Sequence, residues 1–349
     1  MWQSHLSYHP RIGYTYTPGF RSRLTRGAGG YLLRANDAGF RCEHEFVEAR
    51  PEGQFRALLF GDSQTAGLGV NNDQRFGDIV ETLSPGLEVY NYGLDGTGTD
   101  QQYQAWREFG GVEHDLLIIG LYVEDIERVN SRYLKFADET GQDVWYGKPY
   151  YEVIDEALVL RHTPAPKRPW TRDTLPADAA PAAGPAPLYA RAQAALKTNP
   201  TLHGVVRKLG VGELVQRVAA VQRAPDYGSP DNPGWLLLAR ILTAWIAASA
   251  APVLLLPIPM WTFVEQVSDA SGYQARFHEL AEATGARLHD PLPDLWAYGL
   301  AERRGFRIRN DTHMSPMGHR ALALSLAPTI ARIRREAAGS GSVSTDTKR

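Results

Sequence analysis

Six consecutive residues, Leu116-Leu117-Ile118-Ile119-Gly120-Leu121, carry no polar side chain at all. A strand with one face in water alternates apolar and polar residues, so a run that is apolar throughout has both faces covered, as inner strands of parallel sheets do. Other strand-like runs recur at Phe55 to Phe60, Leu87 to Tyr92, Val253-Leu254-Leu255-Leu256 and Ala286 to His289. Helix-forming segments separate them: Gln64 to Leu83, Asp100 to Phe109, and the stretch after Asn232-Pro233, where Asn suits the cap and Pro the first helical position. Strand and helix in alternation predict an α/β fold, a parallel sheet with helices on both faces.

The rhythm does not fill all 349 residues. Residues 1–53 are rich in aromatics, glycines and arginines without helical period, and read as an extension of short strands or turns packed on a main domain of 54–338. An insertion at about 161–231 interrupts that domain: Thr163 to Pro187 is rich in Pro and Ala and reads as exposed loop, and Leu188 to Arg223 has helical spacing. Residues 339–349 read as a disordered polar tail. Gly234 to Leu256 is apolar enough to weigh as a membrane span, but Arg240 and Pro252 interrupt it, so a buried helix followed by a strand is expected, with no membrane span.

Composition narrows the chemistry by exclusion. A net charge of −2 supplies no basic field for nucleic acid. The single cysteine, Cys42, has no partner for a disulfide, and His114, His162 and His289 have no ligand-like spacing with Asp, Glu or Cys, so neither metal nor cofactor is expected. Met1-Trp2-Gln3-Ser4-His5 lacks the basic and apolar regions of a leader, which points to the cytoplasm.

Two strings carry the candidate chemistry. Gly61-Asp62-Ser63 directly follows Ala57-Leu58-Leu59-Phe60, so Ser63 stands on a turn at the carboxyl end of a buried strand. Asp311-Thr312-His313 lies near the other end. A hydroxyl is a weak nucleophile at neutral pH and needs an imidazole to take its proton and a carboxylate to fix that imidazole's tautomer. Ser63, His313 and Asp311 are those three groups.

Gly61-Asp62-Ser63, then Asn91-Tyr92-Gly93-Leu94-Asp95-Gly96-Thr97-Gly98-Thr99-Asp100-Gln101, then Asp311-Thr312-His313 with Ser315 and Gly318 resemble the ordered sequence blocks of SGNH (GDSL) hydrolases. Arg34 to Arg41 is similar to a segment preceding the catalytic domain in some bacterial members. The resemblance spans most of the chain. It implies a three-layer α/β/α sandwich with a flavodoxin-like parallel sheet, and ester hydrolysis through an acyl-enzyme. It further implies Ser63 as nucleophile, His313 as base, and the backbone N–H groups of Ser63 and Gly93 as oxyanion donors, where a side chain on residue 93 would obstruct the approach.

The third donor departs from the family pattern, which places an Asn after the third strand. Here Glu124-Asp125 stands instead, and a carboxylate has no N–H to offer. Three arrangements meet this: Glu124 points away, which is the preferred one; it is held protonated as a donor; or Asn130 replaces the missing amide. The family's acid stands three residues before its His, where this chain has Asn310; Asp311, two before, takes the role here. Asp62 is assigned at most a positioning role. The expected substrate is a small acyl ester, acetyl foremost, on a sugar that Tyr122, Tyr133, Trp145 and Trp261 could stack against. Two alternatives stand beside it: an acyltransferase with the same triad, and a catalytically weak carbohydrate-binding or assembly protein.

Overall fold

The computed structural model describes residues 5–26, 29–138, 140, 142–176, 227–309 and 311–342. Two antiparallel hairpins open the chain, β1 (Leu6–His9) with β2 (Gly13–Tyr16) and β3 (Arg21–Arg26) with β4 (Gly29–Arg34). The apolar runs follow as β5 (Phe55–Gly61), β6 (Leu87–Asn91) and β7 (Leu116–Tyr122), separated by α1 (Ser63–Ala66), α2 (Phe76–Leu83) and α3 (Thr99–Phe109). A 3-10 stretch, Val123–Asn130, leads into two further hairpins, β8 (Tyr133–Ala137) with β9 (Asp143–Gly147) and β10 (Tyr150–Ile154) with β11 (Ala157–Arg161). The rest is α4 (Pro233–Ala248), β12 (Val253–Ile258), α5 (Trp261–Val264), α6 (Ser271–Thr284), β13 (Arg287–Leu288), α7 (Leu292–Trp296), α8 (Leu300–Arg304) and α9 (Pro316–Ser342).

Five strands form one parallel sheet in the order β13-β12-β7-β5-β6. Counted along the sheet's own strands this is 2-1-3-4-5 from the β6 edge, the flavodoxin-like order, with the chain reversing its direction of travel between β5 and β7. In open sheets of this kind the cleft outside the carboxyl ends at the reversal is where ligands bind. Every residue of β7 and of β12 is buried, which is what their unbroken apolar sequence requires. Helices α2 and α9 pack together, as do α3 and α6 with α4, completing the α/β/α sandwich. Phe60 of β5 stacks on Tyr92 at 4.4 Å and meets the edge of Trp245 of α4 at 5.6 Å. Burying rings and branched chains of this size stabilises the fold by about 1.5–3 kcal/mol per side chain.

The apolar stretch Gly234 to Leu256 is a helix and a strand. Asn232 caps α4, its Oδ1 accepting from Gly234 N at 2.8 Å and Trp235 N at 3.1 Å. Arg240 lies at the surface and pairs with Glu156 in the β10–β11 turn. Among the described residues no helix is long and apolar enough to cross a membrane.

The first fifty residues are built into the same core. Ile12, Tyr14, Tyr16 and Phe40 share one apolar cluster with the sheet, and Phe40 packs edge-on against Tyr92 and Phe109, each at 5.0 Å. Arg41 is buried, and its guanidinium donates to the carbonyls of Ala66 (2.9 Å), Gly67 and Val70 and to Asn72 Oδ1 (2.7 Å), holding the turn after α1.

Two loop expectations change. The stretch beginning at Thr163 is anchored where it is described: Ala165 is buried, bonded through N to Pro10 O at 2.7 Å and through O to Tyr8 at 2.8 Å, and Trp170 pairs with Trp145 of β9. Aromatic and apolar partners on the hairpins outweigh the Pro-rich composition there. Helix α9 continues through Ser342, so residues 339–342 extend the helix in place of opening the tail. Leu188 to Arg223, Asn310 and residues 343–349 lie outside the described residues.

Candidate active site

Ser63 is delivered by a turn with no spare room. A Cβ on Gly61 would stand 2.1 Å from Thr65 Oγ1 and 2.7 Å from Gly120 O, so only glycine lets β5 end this close to β7. Asp62 then caps α1, accepting from Gln64 N at 2.9 Å, and Gly67 closes the helix in the left-handed region at φ +75°. Ser63 is buried, at 4% exposure, and no described residue accepts from its N–H.

His313 lies between α8 and α9, on a segment folded back on itself. Ile308 N donates to His313 O at 2.8 Å, Ser315 N to Phe306 O at 2.8 Å, and Arg307 pairs with Met314. Nε2 of His313 is 2.9 Å from Ser63 Oγ, and Nδ1 is 2.6 Å from Asp311 Oδ1. The same carboxylate oxygen accepts from the backbone N–H of His313 at 3.2 Å. A carboxylate can only accept, so Nδ1 carries the proton and the Nε2 lone pair faces the serine. Ser63, His313 and Asp311, drawn from the two ends of the chain, are thus joined in one line of hydrogen bonds.

Gly93 sits differently from its expected use. Its N–H donates to Asn91 Oδ1 at 2.9 Å, while Asn91 Nδ2 donates to Thr65 O at 3.0 Å. The glycine is required by packing, since a Cβ would lie 2.4 Å from Ala66 N. The following loop is tied down from above by the first hairpin: Tyr14 donates to Asp95 O, and Gln101 Nε2 donates to Ile12 O at 2.7 Å. Burial pushes the Asp95 carboxyl above the usual carboxylate range, with Arg41 opposing.

On the 3-10 stretch after β7, Glu124 is half-buried, and no described hydrogen bond or ion pair joins it to Ser63, His313 or Asp311. Asn130 is exposed, with its Nδ2 3.0 Å from where a Cβ on Gly234 would stand, at the start of α4. The residue of this stretch that reaches the Ser63 turn is Arg128, whose Nη1 is 3.5 Å from Asp62 Oδ2 and 3.3 Å from Thr97 O. Sequence reasoning passed over Arg128, and also Gln64, whose side-chain amide bonds Thr312 O and Met314 N, each at 3.2 Å. Adjacency to Ser63 was the one available signal for Gln64; for Arg128 it was the position after an inner strand.

An apolar cavity of about 40 Å³ is walled by Gln64, Thr312 and Met314, which adjoin Ser63 and His313 in sequence, and by Tyr122, Trp261 and Phe306; Ser63, His313 and Asp311 do not line it. Two of the four expected sugar-stacking aromatics, Tyr122 and Trp261, are therefore cavity wall. Tyr133 and Trp145 lie on β8 and β9, Tyr133 meeting Trp170 edge-on at 5.2 Å.

Among the described residues no group of three or more His, Cys, Asp or Glu is placed to hold a metal. His289, Ser325 and Asp294 look like a second triad by composition, but Ser325 Oγ donates to Asp294 at 2.6 Å and Thr329 sits on His289 Nδ1 at 3.1 Å, so no carboxylate orients that imidazole toward the serine. Cys42 is buried, and burial pushes its thiol up to about 12, leaving it inert.

No family model matches the chain and no curated protein matches it. Among solved structures it is similar to a member of the lipolytic protein G-D-S-L family from Veillonella parvula DSM 2008, at 11% identity and TM-score 0.42, covering 80% of this chain and 99% of that one. It is also similar to the lipase/acylhydrolase from Enterococcus faecalis, at 12% identity and TM-score 0.41, covering 79% of this chain and 95% of that one. A third is LAE5, an alpha/beta hydrolase enzyme from the metagenome of Lake Arreo, Spain, at 11% identity and TM-score 0.40, covering 80% and 96%. Identities this low carry no residue's role from one chain to another.

Proposed function

We propose that this chain is a serine esterase of the SGNH (GDSL) type that hydrolyses a small acyl ester through an acyl-enzyme. The observation that carries the reading is the hydrogen-bonded line Ser63 Oγ to His313 Nε2 at 2.9 Å and His313 Nδ1 to Asp311 Oδ1 at 2.6 Å. As Ser63 Oγ forms its bond to the acyl carbon, His313 Nε2 takes the hydroxyl proton and the carbonyl π pair moves onto oxygen. Collapse of that intermediate breaks the bond to the alcohol, which leaves with the proton held by His313. Water then repeats the sequence against the acyl-enzyme and frees the acid. Asp311 stays ionised throughout and stabilises the imidazolium.

The oxyanion falls to Ser63 N–H, which has no described acceptor; a donor of this kind lowers the barrier by about 3 kcal/mol. Gly93 N–H joins it only by giving up Asn91 Oδ1, so Gly93 is a conditional donor. A short acyl group, acetyl foremost, is assigned on the resemblance, and the cavity of about 40 Å³ that reaches Gln64 and Thr312 is small enough to suit it. A sugar as the alcohol is assigned on the resemblance alone, since Tyr133 and Trp145 pack toward Trp170 and do not line the cavity.

A fluorophosphonate probe, followed by intact mass and peptide mapping, tests the nucleophile. Labelling at Ser63 that vanishes in S63A and H313A supports the reading; a folded protein that neither labels nor cleaves p-nitrophenyl acetate overturns it. A series of p-nitrophenyl acetate, butyrate and octanoate beside acetylated xylan tests the substrate. Cleavage of octanoate without acetate would refute the short-acyl assignment, and cleavage of aryl acetate without acetylated sugar would refute the sugar.

A further inference from the structure

We propose that Arg128 is a positioning residue which, acting through Asp62, keeps the Ser63 hydroxyl proton directed at His313; the proposal rests on the serine-esterase reading. The hydroxyl has one proton and two acceptors within reach, His313 Nε2 at 2.9 Å and Asp62 Oδ2 at 3.4 Å. Donation to Asp62 is unproductive, because it turns the proton away from the base that must remove it. Asp62 cannot simply be absent, since its Oδ1 caps the helix that carries Ser63. With Asp as the cap, the turn holds a fully buried carboxylate whose second oxygen competes for the catalytic proton.

Arg128 answers that conflict. Its Nη1 lies 3.5 Å from Asp62 Oδ2, the oxygen that faces Ser63. The guanidinium is anchored from a second side by Thr97 O at 3.3 Å. Gly98 makes the approach possible, because a Cβ there would press to 3.2 Å from Arg128 Cβ and 2.7 Å from Asp100 Oδ1. A positive charge at Oδ2 weakens that oxygen's pull on a neighbouring hydroxyl, and does so more strongly beside a buried carboxylate than in water. The hydroxyl then donates to His313. Proximity to Arg128 also offsets the negative charge that Asp62 sets beside the developing oxyanion. The 3-10 stretch where an amide donor was sought thus supplies a charge that acts one residue away from the nucleophile.

The test is a double-mutant cycle on ester hydrolysis and on the rate of fluorophosphonate labelling, with wild type, R128Q, R128K, D62N and D62N/R128Q, each checked for its melting temperature. R128Q should lower kcat and the labelling rate by about 10-fold or more with KM changed less than about 3-fold, and R128K should recover part of the loss. Adding R128Q to D62N should cost far less than adding it to wild type, because the amide at position 62 no longer competes as a carboxylate does. Equal losses from R128Q in both backgrounds, a fall in KM-linked binding alone, or undiminished labelling of R128Q would overturn the proposal. Should R128Q fail to fold, R128K set against D62N/R128K decides the same coupling. An unlabelled, inactive wild type refutes the esterase reading itself, which separates the two failures.

Discussion

Gln64 holds His313 by both of its neighbours. Its side-chain Nε2 donates to Thr312 O and its Oε1 accepts from Met314 N, both at 3.2 Å, so the residue next to Ser63 brackets the imidazole across sequence separations of 248 and 250. Ser63 and His313 are therefore not placed independently by the turn after β5 and by the segment between α8 and α9. One side chain references one to the other, and α1, capped at Asp62 and closed at Gly67, fixes where that side chain starts.

Removing this bracket should impair chemistry more than stability. Q64A leaves the Ser63 turn capped by Asp62 but frees the His313 segment to shift, and a displacement near 1 Å costs about 100-fold in rate. We expect kcat for a short-chain aryl ester to drop by about 10- to 100-fold, with KM little changed and a melting temperature within a few degrees of wild type. Q64E keeps the acceptor for Met314 N but opposes Thr312 O with a carboxylate, and should be no better than Q64A. Steady-state kinetics beside thermal unfolding checks both; full activity in Q64A would refute the bracket.

Much of the sheet was legible because its inner strands carry their burial in an unbroken apolar sequence, most plainly β7 and β12, and because Asn232-Pro233 announces α4. The three residues of the hydrogen-bonded line were legible because a serine after a buried strand and an Asp-x-His string are local patterns. What could not be read depends on partners far away in sequence. The hairpins β8 to β11 mix Lys, Asp and Glu with aromatics and are held by elements distant in sequence, as where Phe136 of β8 meets Tyr14 of β2 edge-on at 5.7 Å and Tyr151 of β10 stacks on Tyr103 of α3 at 5.7 Å. The direction of the Gly93 N–H is set by Asn91 two residues earlier, a turn geometry that residue types alone do not specify. Arg128 and Gln64 acquire their roles only once α1, the loop around Thr97 and the His313 segment come together.

Gly93 gives a prediction about packing. Because a Cβ there would meet the backbone of Thr65 and Ala66 at 2.8 and 2.4 Å, the loop cannot be relieved by rotating a side chain. G93A should therefore destabilise by about 1–3 kcal/mol and push the loop off α1, lowering kcat as well. Denaturant unfolding with the m-value held constant is the check, and an unchanged midpoint would refute the close approach of the loop to α1.

The first fifty residues are predicted to be indispensable. Phe40 is fully buried against Tyr92 and Phe109, and Arg41 satisfies the carbonyls of Ala66, Gly67 and Val70 that close α1. R41M leaves the Ala66 and Val70 carbonyls without their described donor, while Gly67 O keeps Val70 N at 3.1 Å, at about 1–3 kcal/mol for each unsatisfied group. A chain beginning at Gln54 should lack cooperative thermal unfolding and bind ANS, while R41M should unfold at a markedly lower temperature than wild type. A sharp, wild-type-like transition in the shortened chain would show that the segment is an appendage.

His319 supplies a pH dependence whose sign is fixed by burial. Its ring stacks on Phe76 at 6.0 Å and Nδ1 accepts from Phe76 N at 3.3 Å. Burial foremost, with Arg75 and Arg41 nearby, holds it down to about 3 from the ordinary 6.5. Between those values the unfolded chain binds a proton that the folded chain refuses, so stability falls as pH drops below about 6.5, by up to about 1.4 kcal/mol per pH unit, and His319 adds no slope above it. His44 acts in the opposite sense: its hydrogen bond to Glu81 raises it, so its contribution is full below 6.5 and is lost as pH rises through its folded value. Carboxylates add their own acid slope, so the informative quantity is the difference between wild type and H319Q, whose amide oxygen can still accept from Phe76 N. Denaturant midpoints from pH 8 to pH 4 should converge toward acid, the variant losing less than wild type. Parallel curves would mean that His319 takes up its proton without unfolding, and that it is not sealed between α2 and α9.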